Sequence, residues 1–175
     1  MKRARKFQVS IIGSSNATKV ENDLSYDLGC FIGGKGWVLI NGGRTGVMEA
    51  SSRGCYDANG ISVAILPFDS IDAVNIYSTI SIATTIGYAR NCITVASADV
   101  VVVVGGKSGT LCELTYAWQY NKPIICCSWI DGVSKNFAGI CIDDKRVEPT
   151  IRAENIDEVY SLLNNFYKNF IKLNN

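Results

Sequence analysis

The sequence predicts an α/β fold with a doubly wound, mainly parallel sheet, and three observations predict it. Short segments rich in β-branched residues alternate with segments of helical periodicity. The short segments are continuously apolar, which indicates strands that are buried on both faces. Loops rich in glycine and hydroxyl residues follow most of them, as expected for strand–helix units joined by right-handed crossovers.

Each strand is predicted from a short apolar run bounded by turn residues. The predicted strands cover residues 7–12, 37–40, 61–66, 78–83, 100–104 and 123–127, and a short edge strand covers 147–151. The run of five valines over 100–104 predicts the central strand, because such a run needs burial on both sides.

The helices are predicted from apolar periodicity and from end signals. They cover residues 16–34, 47–58, 87–97 and 109–121, and a last helix begins after Asn155, which has Glu158 in the spacing of a capping pattern. One apolar stripe of this last helix predicts a core or subunit contact: Ile156, Val159, Tyr160, Leu163, Phe166, Tyr167 and Phe170. Residues 131–144 fit no single pattern.

The length of 175 residues suits one domain over 7–175, preceded by a basic arm over 1–6. The apolar run after that arm is too short for a signal sequence, and no run approaches the roughly 20 residues of a membrane span, so we expect a cytoplasmic protein without membrane contact. The formal net charge of +1 gives no general attraction to nucleic acid.

Two features of the composition exclude much chemistry. The chain has no histidine, which rules out Ser-His and Cys-His nucleophiles and any metal site that needs imidazole. Its seven cysteines form no CxxC pair and lie mostly in apolar stretches, so we interpret them as small buried hydrophobic residues and predict no metal site.

Glycine and hydroxyl residues collect in the loops after the strands, at the edge of the sheet where α/β proteins bind ligands. Glycines let the backbone approach an anion closely, and a helix amino end offers free N–H groups. These loops therefore predict a phosphate-binding crevice. The candidate ligand-binding residues are Gly13, Ser14, Ser15, Gly42, Gly43, Arg44, Gly46, Arg90, Asn91, Gly105, Gly106, Lys107, Ser108, Gly109, Thr110 and Glu113.

Glu113 lies four residues after Gly109 and therefore on the same helix face, one turn beyond the loop. Arg90 lies near the start of the preceding predicted helix, and we expect it to come from the neighbouring edge of the crevice. The two side chains could flank a phosphorylated ligand, with Glu113 stabilising a cationic sugar and Arg90 holding the phosphate. Alternatively, they form a salt bridge that fixes two loops.

Two common nucleotide-binding motifs are absent from the sequence. The first predicted strand is followed by "GSSNAT" instead of GxGxxG, and the second ends in Asn41 instead of an acid. The "GKS" at 106–108 has Val101 where a Walker loop needs glycine. Neither nicotinamide chemistry nor NTP hydrolysis is favoured.

Four segments in order resemble the molybdenum cofactor carrier protein family, a relative of the "lonely guy" (LOG) lysine decarboxylase-like proteins. They are "NGGRTGVMEASSRG", "ILP", "GYARNCITVASADVVVVVGGKSGTLCEL" and "NKPII". The resemblance covers roughly residues 8–127 and implies a Rossmann-like fold, homo-oligomers (dimer or tetramer) and a crevice for a nucleotide or pterin phosphate.

The LOG branch resembles phosphoribohydrolases that cleave nucleoside 5′-monophosphates, with the signature PGGxGTxxE after an arginine–lysine pair. The resemblance assigns the arginine to Arg90 and the glutamate to Glu113, as catalytic residues if this chain is a hydrolase. Its proline, second glycine and lysine are replaced here by Gly105, Lys107 and Asn91. Gly105 and Asn91 are closer to the carrier branch.

We therefore expect a single-domain, Rossmann-like protein that binds a small phosphorylated ligand, with a bound nucleotide or molybdenum cofactor as the candidate cofactor. A carrier is the first reading. A phosphoribohydrolase is the second, and a non-catalytic structural or signalling subunit is the third.

Overall fold

The computed structural model describes residues 5–174, so most of the predicted basic arm lies outside the described residues. Seven parallel strands form one sheet in the order β4-β3-β2-β1-β5-β6-β7. The strands are β1 (Gln8–Gly13), β2 (Val38–Asn41), β3 (Ile61–Leu66), β4 (Ile80–Ala83), β5 (Val100–Val104), β6 (Ile124–Cys127) and β7 (Ile151–Ala153). The predicted doubly wound, Rossmann-like sheet is confirmed.

Six helices connect and cover these strands. They are α1 (Lys19–Gly34), α2 (Val47–Asp57), α3 (Arg90–Ala96), α4 (Ser108–Gln119), α5 (Val133–Asn136) and α6 (Ile156–Asn174), and a 3₁₀ turn (Gly87–Ala89) precedes α3. The chain runs outward from β1 to β4 and then returns to β5 beside β1. This change of direction opens a crevice between the carboxyl ends of β1 and β5.

The valine run of β5 divides the core between the two sheet faces. Val100, Val102 and Val104 belong to the cluster that includes side chains of α1, α2 and α6. Val101 and Val103 belong to the cluster that includes side chains of α3, α4 and α5. All five valines are fully buried, as the sequence predicted for the central strand.

Helix α6 bears out the capping pattern at its start. Asn155 Oδ1 accepts a hydrogen bond from the Glu158 backbone N–H at 3.0 Å. Val159 and Leu163 lie in the core, and the other members of the predicted stripe pack against it. The stripe is therefore a core contact in this chain.

The predicted edge strand over 147–151 is wrong in position. Val147 is 88% exposed, and the Thr150 hydroxyl and N–H bond the preceding loop at Phe137 and Ile140. Pairing with β6 begins only where Ile151 lies opposite Ile125. Loop hydrogen bonds therefore outweigh the local strand propensity of this segment.

Two smaller differences concern helix bounds. Helix α1 begins at Lys19 rather than at residue 16, because Thr18 caps it. Residues 131–144, which fit no pattern, contain the single turn of α5.

None of the helices within residues 5–174 combines the length and hydrophobicity that crossing a bilayer requires.

Candidate functional site: a cleft at the carboxyl edge of the sheet

A cleft of about 360 Å³ lies where the β1–α1, β2–α2 and β5–α4 junctions meet. Twelve of the sixteen candidate residues line it: Gly13, Ser14, Ser15, Gly42, Arg44, Arg90, Asn91, Lys107, Ser108, Gly109, Thr110 and Glu113. The structure thus brings together side chains from four separate segments of the chain.

The β1–α1 junction is closed by its own hydrogen bonds. Thr18 Oγ1 accepts a bond from the Glu21 N–H at 3.3 Å, and Glu21 Oε2 accepts one from the Thr18 N–H at 2.7 Å. The Ser14 hydroxyl donates to the other oxygen of Glu21 at 2.9 Å. This capping box fixes Ser14 at the wall of the cleft.

The β2–α2 junction is held by Asn41, which is buried at the end of β2. Asn41 Oδ1 accepts a bond from the Gly43 N–H at 2.8 Å, and Nδ2 donates to the Met48 carbonyl at 3.0 Å. The Asn41 side chain therefore ties the glycine loop to the first turn of α2. Gly42 leaves room for Arg90, since an added Cβ would lie 2.6 Å from Arg90 Nη1.

The β5–α4 junction is held by hydrogen bonds to α5 on one side and lines the cleft on the other. Gly105 and Gly106 have φ angles of +58° and +96°. The Gly105 N–H donates to the Ser134 hydroxyl at 2.9 Å, and the Gly106 carbonyl accepts a bond from the Val133 N–H at 3.1 Å. Lys107 occupies the N-cap position of α4, and no side chain caps this helix.

Arg90 and Glu113 form a buried ion pair on one side of the cleft. Arg90 Nη1 donates to Glu113 Oε1 at 3.1 Å and to Thr94 Oγ1 at 3.2 Å. The two residues are 7% exposed each, and Arg90 Nε is buried without a hydrogen-bond partner within residues 5–174. The salt bridge foreseen as one of two readings exists, and both side chains also line the cleft.

Burial dominates the electrostatics of this pair. Loss of solvent raises the pKa of Glu113 to about 7, and Arg90 opposes part of that rise. Burial also lowers the pKa of Arg90, and the nearby Arg44 adds to that lowering. With Lys107, the cleft wall carries three cations and one carboxylate, so it favours an anion.

The remaining four candidates shape the loops instead of lining the cleft. Gly43 packs against Ala64 and accepts a bond from the Asn75 N–H at 2.8 Å. Gly46 is the N-cap residue of α2 and has a φ of +66°. Gly105 and Gly106 hold the loop before α4, as described above.

Sequence reasoning missed five residues that line the cleft: Ile11, Ile12, Asn16, Met48 and Tyr88. Tyr88 could have been found, because it lies two residues before Arg90, in the first turn of the helix predicted over residues 87–97. Ile11, Ile12 and Met48 carry no chemical signal and look like ordinary core residues. Asn41 and Glu21 position the site without lining it, and only their contacts reveal this.

The cysteines only partly follow the expectation of buried side chains. Cys55, Cys126 and Cys127 are buried, and burial raises the pKa of Cys55 to about 11 and that of Cys126 to about 12. Cys30, Cys92 and Cys112 are half-buried, and Cys141 is exposed. All seven are free thiols in the described structure.

The fold and this cleft define a Rossmann-like α/β protein whose loops converge between β1, β2 and β5. The chain belongs to the SLOG cluster4 family, which matches residues 6–160. An uncharacterized protein of Archaeoglobus fulgidus is 42% identical over 117 residues, which cover 67% of this chain and 77% of that protein.

Solved structures agree with this assignment. TM1055 is similar with a TM-score of 0.83 and 29% identity, over 91% of this chain and 99% of that one. The molybdenum cofactor binding protein of the phototrophic bacterium Rippkaea orientalis is similar with a TM-score of 0.79 and 30% identity, over 94% of this chain and 99% of that one. The molybdenum cofactor carrier protein of Chlamydomonas reinhardtii is similar with a TM-score of 0.82 and 25% identity, again over 94% of this chain and 99% of that one.

Proposed function

We propose that the cleft binds a small phosphorylated ligand, a nucleotide or a pterin phosphate, and that the protein is a binding protein similar to the molybdenum cofactor carriers. The observation that carries this proposal is the uncapped amino end of α4, which opens into the cleft beside Arg90. Two of its structural neighbours are named for the same cofactor.

The phosphate is expected at the amino end of α4. The backbone N–H groups of the first helical turn have no intrahelical partner, and the helix dipole adds positive potential there. Lys107 and Thr110 line the cleft at this end and add an ammonium group and a hydroxyl. Such a site binds phosphate through its geometry as well as its charge.

The ring system of the ligand is expected nearer to Tyr88. The Tyr88 ring lines the cleft and is 80% exposed, so a flat heterocycle can stack on it. Met48 and Ile12 supply apolar surface in the same cleft. A cleft of about 360 Å³ lies within the range of ligand pockets, which runs from roughly 300 to 1,000 Å³.

The loop conformation favours a carrier over a phosphoribohydrolase. Gly105 stands where the hydrolase signature has proline, and its φ of +58° is one that proline cannot adopt. Glu113 is already paired with Arg90, and burial raises its pKa, which leaves less free carboxylate to stabilise a cationic sugar. The hydrolase is therefore the second candidate, supported by the proximity of Arg90 and Glu113.

A purely structural subunit is the least favoured reading. In such a subunit Arg90 would lie buried beside the cleft with no ligand to bind. Its Nε lacks a hydrogen-bond partner within residues 5–174, and a buried donor without a partner costs free energy. We expect the working form to be a homo-oligomer, a dimer or a tetramer.

Thermal unfolding with AMP and with adenosine tests the phosphate site. AMP at about one hundred times its Kd should stabilise the fold by roughly 2.7 kcal/mol, which corresponds to several degrees in Tm for a chain of this size. Adenosine should stabilise it far less. Equal shifts for the two, or none for any phosphorylated compound, would contradict the proposal.

A matched pair of substitutions on α4 locates the effect. Thr110→Val removes a hydroxyl that lines the cleft, whereas Thr115→Val removes one that donates to the Cys112 carbonyl on the same helix. We expect only Thr110→Val to weaken AMP binding, by about fivefold, the value of a typical hydrogen bond. Equal effects would indicate a change in the helix itself.

Two analyses separate carrier from hydrolase. Mass spectrometry of compounds released from the purified protein should find a phosphorylated heterocycle. A panel of nucleoside monophosphates should yield no ribose 5-phosphate with the wild-type protein. Release of free base that is lost in Glu113→Gln would make the hydrolase the correct reading.

A further inference from the structure

A second cavity adjoins the cleft and has no part in the site described so far. It has a volume of about 780 Å³ and lies over the amino-terminal parts of α1 and α2. Ser15 and Asn16 line both this cavity and the cleft, so the two meet at the β1–α1 loop. We call it the α1–α2 groove, and its charged and aromatic lining consists of Asp23, Tyr26, Asp27, Glu49, Arg53 and Tyr77.

The backbones of α1 and α2 are in contact beside the groove. An added Cβ at Gly54 would clash with the Tyr26 carbonyl, and one at Gly29 would clash with the Ser51 carbonyl. Because only glycine fits at these two positions, the helices are held in close contact. The groove is therefore formed before any ligand binds, as is usual for small-molecule sites.

The groove and the cleft carry opposite charges. Three carboxylates and one guanidinium line the groove, whereas three cations and one carboxylate line the cleft. Asp23 pairs with Lys19, but the carboxylates of Asp27 and Glu49 form no salt bridge within residues 5–174. These two carboxylates can accept hydrogen bonds from hydroxyl or amino groups, and they would repel a phosphate.

Two half-buried tyrosine rings give the groove flat apolar surface. The Tyr26 hydroxyl donates to Asp57 Oδ2 at 2.9 Å, and the Arg53 guanidinium lies 5.4 Å from the centre of the Tyr26 ring. The rings of Tyr77 and Tyr56 pack with their centres 6.2 Å apart. Aromatic rings beside hydrogen-bond acceptors suit a nucleoside, which has a flat base and a sugar with hydroxyl groups.

We propose that the ligand extends past Ser15 and Asn16 into the α1–α2 groove, and that it is a phosphate or pyrophosphate diester with a second, nucleoside-like half. This inference rests on the proposed function, because it takes the phosphate at the amino end of α4 as its starting point. The phosphates stay beside Lys107, and the neutral half contacts Asp27 and Glu49. A ligand with a second terminal phosphate would bring negative charge against those carboxylates.

Calorimetry with ADP and with diadenosine diphosphate tests this inference, because the second probe has one more adenosine. ADP carries the greater negative charge, so tighter binding of diadenosine diphosphate could not be attributed to charge. We expect diadenosine diphosphate to bind about tenfold more tightly, the effect of one stacked base. In hydrogen exchange of the wild-type protein, it should also protect the amino-terminal parts of α1 and α2 more than ADP does.

Glu49→Ala and Asp157→Ala form a matched pair of variants. Both remove an acidic residue from the first turn of a helix, and only Glu49 lines the groove. Glu49→Ala should weaken binding of diadenosine diphosphate about fivefold and leave ADP binding nearly unchanged, whereas Asp157→Ala should change neither. Tyr77→Ala is a second groove variant outside both helices and should also weaken diadenosine diphosphate alone. Retained ADP binding shows that a variant is folded.

Two kinds of failure are distinguishable. If neither probe binds, the phosphate site of the proposed function is wrong and this inference fails with it. If ADP binds but diadenosine diphosphate binds no more tightly, only the extension into the groove is wrong. Glu49→Ala and Tyr77→Ala proteins that keep the wild-type preference would also overturn it, because the second adenosine would then lie on another surface.

Discussion

The β1–α1 and β5–α4 junctions lie at the same edge of the sheet and are completed in opposite ways. The β1–α1 junction caps its helix with Thr18 and Glu21, which exchange hydrogen bonds across the first turn. The β5–α4 junction starts its helix at Lys107 without any side-chain cap. Helices α2 and α3 also begin without a side-chain cap. The missing cap of α4 therefore marks the candidate site only together with the position of that helix end in the cleft.

The buried glutamates of the two helices differ in the same way. Glu21 accepts hydrogen bonds from Ser14 and Thr18, within its own junction. Glu113 contacts Arg90 from another helix and lines the cleft. Glu21 therefore stabilises the fold, whereas Glu113 is available to respond to a ligand or to pH.

Removing Glu21 should have the largest effect on stability. Glu21→Ala leaves the Ser14 hydroxyl and the Thr18 N–H without their acceptor, and such losses cost roughly 1–3 kcal/mol each. We expect the free energy of unfolding to fall by about 3 kcal/mol in urea titrations. Asp23→Ala is the control, since its exposed pair with Lys19 is worth less than about 1 kcal/mol. Equal losses would remove the distinction between the two junctions.

The titration of Glu113 should give the next largest effect. Its pKa is raised from 4.5 to about 7, so the folded protein binds more protons than the unfolded chain between these values. The free energy of unfolding must then fall as the pH rises, by about 2 kcal/mol between pH 5 and pH 7. Glu113→Gln should lack this component. A wild-type protein with the same pH slope as Glu113→Gln would show that Glu113 is ordinary.

The sequence predicted those parts of the fold whose local pattern agrees with their packing. Strands β5 and β3 have the predicted bounds, because their apolar runs are also buried along all of β5 and most of β3. The prediction for 147–151 was wrong, because hydrogen bonds between Thr150 and the preceding loop at Phe137 and Ile140 decide the path of this segment. Such contacts leave no local pattern.

The same limit applies to the cleft. Glycines, hydroxyls and charges after the strands were visible in the sequence, and most of them meet in the cleft. The role of Asn41 was not visible, because it depends on the distance from its amide to the Met48 carbonyl. The unequal capping of α1 and α4 also needed the structure, since the sequence has a hydroxyl residue near the start of both helices.

Tyr88 allows a test of whether the open junction serves a ligand with a ring. Stacking of a base on an aromatic side chain is worth about 1–3 kcal/mol, so Tyr88→Ala should weaken AMP binding about tenfold. Binding of ribose 5-phosphate, which has no aromatic base to stack, should stay nearly unchanged in calorimetry. Tyr120→Ala is the control, since Tyr120 is 44% exposed and lies outside the cleft. A parallel loss for both compounds would argue against stacking.

The smallest expected effect comes from giving α4 the cap that it lacks. Lys107 has extended backbone angles, φ −125° and ψ −153°, which suit an N-cap residue. In Lys107→Asp the new carboxylate can accept a bond from the first helical turn and face the positive end of the helix dipole. We expect the free energy of unfolding to rise by about 1 kcal/mol.

The same substitution should remove the proposed function. Its carboxylate would accept hydrogen bonds from the N–H groups that we assign to the phosphate, and its negative charge would repel the ligand. The affinity for AMP should therefore fall about tenfold or more. Lys107→Ala separates the two causes, because it removes the ammonium group without adding a cap and should weaken binding less. Urea titration and calorimetry of both variants measure the gain and the loss. A Lys107→Asp protein that is more stable and still binds AMP as tightly as the wild type would show that the open end of α4 is not the phosphate site.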